Sequence, residues 1–363
     1  MKIEILHGRL IDPKNRVDAQ KNIYIAAGRI ISIGTPPADW HAGKSINAQG
    51  KLVCPGLIDA SVRLREPGYE YKATLESEMN AAVSAGVTSV VCPPDTDPVL
   101  DEPALVEMLK SRAKAMNQAH VYPLGALTVG LKGQDITEMG ELTEAGCVGF
   151  SQAHTAITDT RVLLRAMQYA ATFDYPVWLS PQDVHLARDG VAHDGEVATR
   201  LGLPPIPTLA ETIATQQMIA LAEHAGCRLH LCRMTSAAGL ELVRAAKARG
   251  SKVSCDVSIN HMHLIDVDIG YFDSHFALMP PLRSERDRAA IIRALADGTI
   301  DLIVSDHTPV DDDAKELPFG EAEMGATGVE LLLSLTWKWA KEQHIDLHTA
   351  LAKITAAPAR LLG

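Results

Sequence analysis

Short apolar runs alternate with amphipathic stretches over most of this chain. Runs at 52–59, 88–92, 121–127, 147–150, 176–179, 228–232, 252–257 and 301–304 are too apolar to show an in–out alternation and read as fully buried strands. Between them, apolar residues at helical spacing predict helices over 75–85, 103–116, 138–145, 161–173, 209–224, 238–249 and 285–297, with an eighth over 328–341. Gly86, Gly146, Gly226, Gly250 and Gly298 follow these helices where C-terminal caps belong. Strands that each lead into a helix predict an α/β fold, a closed parallel (β/α)8 barrel of the TIM type. A doubly wound open sheet fits less well, because no Gly-x-Gly-x-x-Gly opens a βα turn.

The first fifty residues have a different rhythm. Strands at 3–6, 22–26 and 30–33 are punctuated by Gly8, Asp12-Pro13, Gly28 and Gly34, and residues 36–44 read as a loop. The predicted organisation is a small β-domain over 1–51 and the barrel over 52–345. A C-terminal helix and a truncated return towards the β-domain follow over 346–363. The acidic stretch 310–323 reads as a mobile, solvated loop.

Composition narrows the function classes. Hydrophobic residues make up 47% of 363, almost all aliphatic, which is ample for a large core. A net charge of −11 argues against a nucleic-acid or anionic-membrane surface. No apolar run reaches transmembrane length and the first residues lack a signal-peptide layout, so the expected compartment is the cytoplasm. None of the six cysteines forms a Cys-x-x-Cys pair, which predicts reduced core thiols.

In a barrel, chemistry sits at the C-terminal ends of the strands. The first ends in Asp59-Ala-Ser61-Val-Arg63-Leu-Arg65-Glu-Pro-Gly68. This run resembles the signature of dihydroorotases, metal-dependent enzymes of the amidohydrolase superfamily, in which Asp-x-His-x-His precedes Leu-Arg-Glu-Pro-Gly. The resemblance continues through Gly-Leu-Pro-Pro-Ile-Pro207 with Ala210-Glu211, Leu229-His230-Leu-Cys-Arg233-Met-Thr235, Pro280-Pro-Leu-Arg283, and Ser305-Asp306-His-Thr-Pro309.

The resemblance implies metal ligands at five strand ends, where zinc is the family's ion. Here Ser61 and Arg63 stand at the first strand's two histidines, Gln152 near the fourth strand's carboxylate or modified lysine, Ser180 at the fifth strand's histidine and Arg233 at the sixth's; only Asp306 persists. A catalytic zinc needs about three protein ligands plus an open position. Arginine has no lone pair to give and stays protonated. The expectation is therefore no catalytic residue and no metal, with Asp306 serving as charge partner of Arg63 or Arg233.

The substrate side departs from the family as well. Arg65 matches an arginine that holds a substrate carboxylate, Asp95 replaces its partner asparagine, and Asn260 replaces a histidine. Asp95 is expected to pair with Arg65. Of the remaining histidines, His230 reads as a core residue, and the pair His261-x-His263 reads as solvated or capping, a relocated metal site there being the lesser reading. Family members continue beyond the position matching Gly363 into strands that complete the β-domain, so a strand edge is expected to be exposed.

The resemblance thus implies a catalytically inactive dihydroorotase-like subunit that partners the aspartate transcarbamoylase catalytic chain in pyrimidine biosynthesis, with a homodimer as a further candidate assembly. The alternative is an active dihydroorotase or other cyclic-amide hydrolase with a rearranged site. A third reading makes Arg63, Arg65 and Arg233 a cationic pocket for a carboxylate metabolite.

Overall fold

The computed structural model describes all 363 residues. Eight parallel strands form the barrel: Leu57–Asp59, Val87–Cys92, a third broken at Leu124 into His120–Pro123 and Gly125–Ala126, then Phe150–Ser151, Pro176–Leu179, Arg228–Leu231, Val253–Ser258 and Leu302–Val304. Successive strands pair in parallel register. Closure comes beyond the strand ends, where Val62 bridges to His307 in parallel. The helices pack outside, and their apolar faces fuse with the outward strand residues into one large core that includes Leu64, Met79, Leu127, Phe150, Met218 and Trp339. The barrel interior is filled by a smaller set, among them Ala60, Val91, Leu124, Trp178 and Cys232.

Helix positions follow the apolar period closely. Pro103–Met116 is found as predicted, Leu75–Ser84 ends one residue early, and Thr208–Ala225 and Ala237–Ala248 differ from expectation by one residue at each end. Gly146 and Gly226 are left-handed C-caps, and Gly86, Gly250 and Gly298 take positive φ one residue further on. The small domain holds two sheets. One has the order Arg29–Ile33, Ile23–Ala26, Lys2–Leu6, Lys44–Asn47; the other joins Val17–Gln20, Arg9–Asp12 and Leu52–Val53. The edge strand Lys44–Asn47 is exposed throughout.

The apolar run at 52–59 is two strands, not one. Leu52–Val53 pairs with Arg9–Leu10 in the small domain, and only Leu57–Asp59 belongs to the barrel. Past residue 345 come two short helices, Leu347–Ala352 and Ala356–Leu362; backbone carbonyls of Lys353 and Ile354, at the junction between them, accept from Ile303 N and Ile58 N. All six cysteines are free.

The acidic stretch 310–323 is a packed cover rather than a mobile loop. Phe319 and Ala322 are buried in a cluster with Ala192, Val197, Ala198, Ile269 and Ala277, which come from the loops after the fifth and seventh strands. Lys315 turns inward to donate to the carbonyls of Ser274 and Ala277, both at 3.1 Å. The apolar content of Leu317-Pro-Phe-Gly-Glu-Ala322, hidden among six acids, is what pins it.

Candidate functional site

Most of the motif residues at the rim are scaffold. Asp59 Oδ1 accepts from the backbone N–H groups of Ser61 (3.2 Å) and Ser305 (3.1 Å), tying the first and eighth strands together. Complete burial pushes its carboxyl up to about 6, against the pull of those hydrogen bonds. Glu66 accepts from Leu75 N at 2.8 Å, fixing the start of the first helix, and meets Arg112 at 2.5 Å. Gly68 has φ +97°, and a Cβ there would fall 2.1 Å from Asp97 O, so the motif glycine answers a steric demand.

Glu211, Arg283 and His230 are also structural. The Glu211 carboxylate accepts from Thr235 N (3.1 Å), Ser236 N (2.9 Å) and both hydroxyls; Arg283 donates to Thr235 Oγ1 and to Ile206 O. His230, wholly buried, is held by Ser254 Oγ (2.8 Å) and Asp256 Oδ2 (3.0 Å). His230, Asp256 and Cys232 form the one group of three ligand-type side chains close enough to share an ion. Burial and the charge of Asp256 hold the Cys232 thiol far above its ordinary value, and the lone pairs of His230 and Asp256 are already engaged.

At the positions where the family resemblance places metal ligands, the side chains bond to one another. Ser61 Oγ donates to Asp306 Oδ1 at 3.2 Å. Arg63 NH1 lies 3.8 Å and Arg233 Nε 3.6 Å from that same oxygen. Arg233 further donates to Ser61 Oγ and Ser180 Oγ, so five strand-end residues form one network. Gln152 turns aside to Thr128 and Leu131 O. Burial pushes the Asp306 carboxyl up, and Arg233 and Arg63 pull it back only in part. Burial opposes the charge on Arg233, but Asp306 together with Cys232, Asp256 and Asp95 outweighs it, and the guanidinium pKa is raised above its ordinary value. These residues do not fit a zinc ion: one carboxylate faces two guanidinium groups, and both serine hydroxyls are engaged.

The substrate-side positions rearrange differently from expectation. Asp95 pairs with Arg63, not Arg65: Arg63 Nε donates to Asp95 Oδ2 at 2.8 Å, and NH1 donates to Thr308 Oγ1 at 3.0 Å. Arg65 reaches instead to Pro309 O at 2.7 Å, with Glu323 at 4.0 Å. A cavity of about 160 Å³ remains at the mouth, bordered by Arg63, Arg65, Asp95, His154, Asn260 and Glu323 among others. The guanidinium groups lie behind their partners, with side-chain exposures of 5% for Arg63 and 9% for Arg65 against 26% for Asp95 and 33% for Glu323. The cationic pocket expected from the sequence is therefore a charge-matched one. His154 reaches solvent at this rim, and desolvation in the mouth together with Arg63, Arg233 and Arg65 lowers its pKa below the ordinary histidine value.

His261 and His263 correct another expectation. They are neither solvated nor gathered for a metal: His261 is buried with Nε2 against Pro280 O (3.0 Å), and His263 Nε2 meets Leu335 O (3.0 Å). Sequence reasoning missed Thr308 and Glu323 as rim residues. Thr308 was readable from its place two residues after Asp306; Glu323 was not, since nothing local marks the cover segment.

A (β/α)8 barrel with an appended β-domain and its polar centre at five strand ends is the architecture of the amidohydrolases. Residues 50–238 match the family model described as dihydro-orotase-like. A "Dihydroorotase-like protein" of Pseudomonas aeruginosa is 43% identical over 362 residues, covering all of this chain and 86% of the relative. A protein of Syntrophotalea carbinolica named "Dihydroorotase" is 40% identical over 363 residues, covering 85% of its own length. The chain belongs to the dihydroorotase-like family. Among solved structures, the L-hydantoinase (dihydropyrimidinase) of Arthrobacter aurescens superposes with a TM-score of 0.87 over 99% of this chain and 82% of its own, at 21% identity. That likeness concerns the fold.

Proposed function

We propose that this chain is a catalytically inactive dihydroorotase-like subunit that supports assembly of aspartate transcarbamoylase in pyrimidine biosynthesis. The observation that carries the reading is the network in which Arg63, Arg233, Ser61 and Ser180 converge on or beside Asp306. Guanidinium charge stands where a Lewis acid would have to sit, and it is already neutralised. The scaffold residues around it, Asp59, Glu66, Gly68, Glu211 and Arg283, keep their structural partners. A fold retained with its reactive shell exchanged is what selection on surface and assembly would leave.

The test is elemental analysis and a dihydroorotase assay on one preparation, with and without aspartate transcarbamoylase. The expected result is metal far below one ion per chain, no cyclisation of carbamoyl-aspartate, and co-migration with the aspartate transcarbamoylase catalytic chain. Stoichiometric zinc with turnover that disappears in Asp306→Ala would overturn it. That outcome would favour the second reading, an active cyclic-amide hydrolase with a rearranged site, for which the relatives named dihydroorotase at 38–40% identity speak.

A further inference from the structure

We infer that the outer face of the barrel's closed mouth is the docking surface for a partner protein that presents an apolar pocket with a basic border. The loop after the seventh strand turns sharply through Gly270 and sets out Tyr271 and Phe272, 88% and 38% exposed, as an edge-to-face pair 5.2 Å apart. Phe272 has φ +63°, a left-handed backbone that a bulky residue adopts only at a cost. In that conformation Phe272 still leaves more than a third of its surface in water. Val267, earlier in the same loop, and Leu317, in the cover segment, are exposed as well. The hydrogen bonds between Lys315 and Ser274 hold the two loops edge to edge, which sets the segment carrying Leu317 beside the loop carrying the aromatic pair.

The border of this face is acidic. Asp268, Asp273, Asp312, Asp313 and Glu316 are all exposed, and the one nearby lysine, Lys315, is turned inward. Aromatic anchors inside a charged border are the composition of a protein interface core and rim. The border selects the occupant. A second copy would bring the same acids against these, on a chain whose net charge is −11, whereas a basic-bordered pocket is steered towards it. No three of these acids gather closely enough to hold an ion, which excludes a metal as occupant.

This inference rests on the reading of the chain as an assembly subunit, and the experiment separates the two. Binding of the intact chain to the aspartate transcarbamoylase catalytic chain is measured by calorimetry across a salt series. The comparison is with Tyr271→Ser/Phe272→Asn, asparagine being at ease in the left-handed region, and with Asp312→Asn/Asp313→Asn. The expected outcome is binding by the intact protein, at least tenfold weaker binding by the aromatic variant, and a flatter salt dependence for the acid variant, with unchanged circular dichroism. Binding that the aromatic variant leaves intact overturns the surface while the subunit reading stands. An intact chain that does not bind removes the subunit reading and this occupant with it. Self-association lost in the aromatic variant would assign the face to a second copy and overturn the proposal.

Discussion

Arg233 Nε stands 3.6 Å from Asp306 Oδ1, so the acid at the end of the eighth strand is paired with a guanidinium across the barrel rim. Both side chains are nearly buried, and both backbones are strained, with φ +55° at Arg233 and +54° at Asp306. Strain of this kind persists only where surrounding structure enforces it. At this rim the enforced backbone presents a carboxylate and two guanidinium groups to one another.

Asp306→Ala strands two buried guanidinium groups that share one oxygen, though Arg63 keeps Asp95. Breaking a buried pair from one side costs about 3–5 kcal/mol. With Arg63 still paired and contacts near 3.7 Å, the expected loss is about 2–4 kcal/mol by urea unfolding. The double variant Arg233→Met/Asp306→Leu removes both charges and should recover most of it. A loss below about 1 kcal/mol in Asp306→Ala would show that the network carries no such weight.

Asp59 predicts a pH dependence whose sign runs against the usual carboxylate. Its folded value, raised to about 6 from 3.8, means that the native state holds the proton longer than the unfolded chain. Stability on its account is therefore full below about pH 4 and declines as pH rises towards 6, by about 3 kcal/mol at roughly 1.4 kcal/mol per unit. Asp59→Asn keeps the oxygen that accepts from Ser61 and Ser305 but cannot ionise. Its stability relative to the native protein should improve between pH 4 and pH 7; parallel curves for the two would refute the assignment.

Gly68 and Gly86 separate two uses of glycine. Gly86 has positive φ with nothing within 4 Å of an added Cβ, so Gly86→Ala should cost about 1 kcal/mol from the backbone alone. Gly68→Ala adds a collision with the Asp97 backbone at 2.1 Å and should cost about 3 kcal/mol or more. Equal midpoints in denaturant would contradict the steric role given to the motif glycine.

What could be read from the sequence divides along the range of the interaction. Helix limits such as those of Pro103–Met116 follow from local period and caps, and the barrel follows from their alternation with apolar strands. The strands Arg9–Asp12 and Val17–Gln20 were not legible, because their faces are half polar and their hydrophobic partners lie elsewhere in the chain. At the site, the residue types that stand at the strand ends were legible directly, Ser61, Arg63, Ser180, Arg233 and Asp306 among them. The pairing was not: Arg63 and Arg65 present the same chemistry two residues apart, and only the fold decides that Arg63 takes Asp95.

The cover segment yields the last expectation. Phe319 is almost wholly buried against loops from two other strands, and its removal leaves a cavity that those loops close only in part. Phe→Ala in such a setting costs about 3–5 kcal/mol. Here the cost falls first on the segment, because its hydrogen-bonded ties to the rest are few: Thr308 N to Ala326 O, Gly325 N to Ala277 O, Ser274 Oγ to Lys315 O, and inward donation by the Lys315 side chain among them. Local opening then precedes global unfolding. In Phe319→Ala, amide exchange over 310–326 and 191–201 should accelerate at least tenfold while that of Pro176–Leu179 stays slow. Fast exchange over 310–326 in the unaltered protein would restore the mobile loop that its acidic composition suggests.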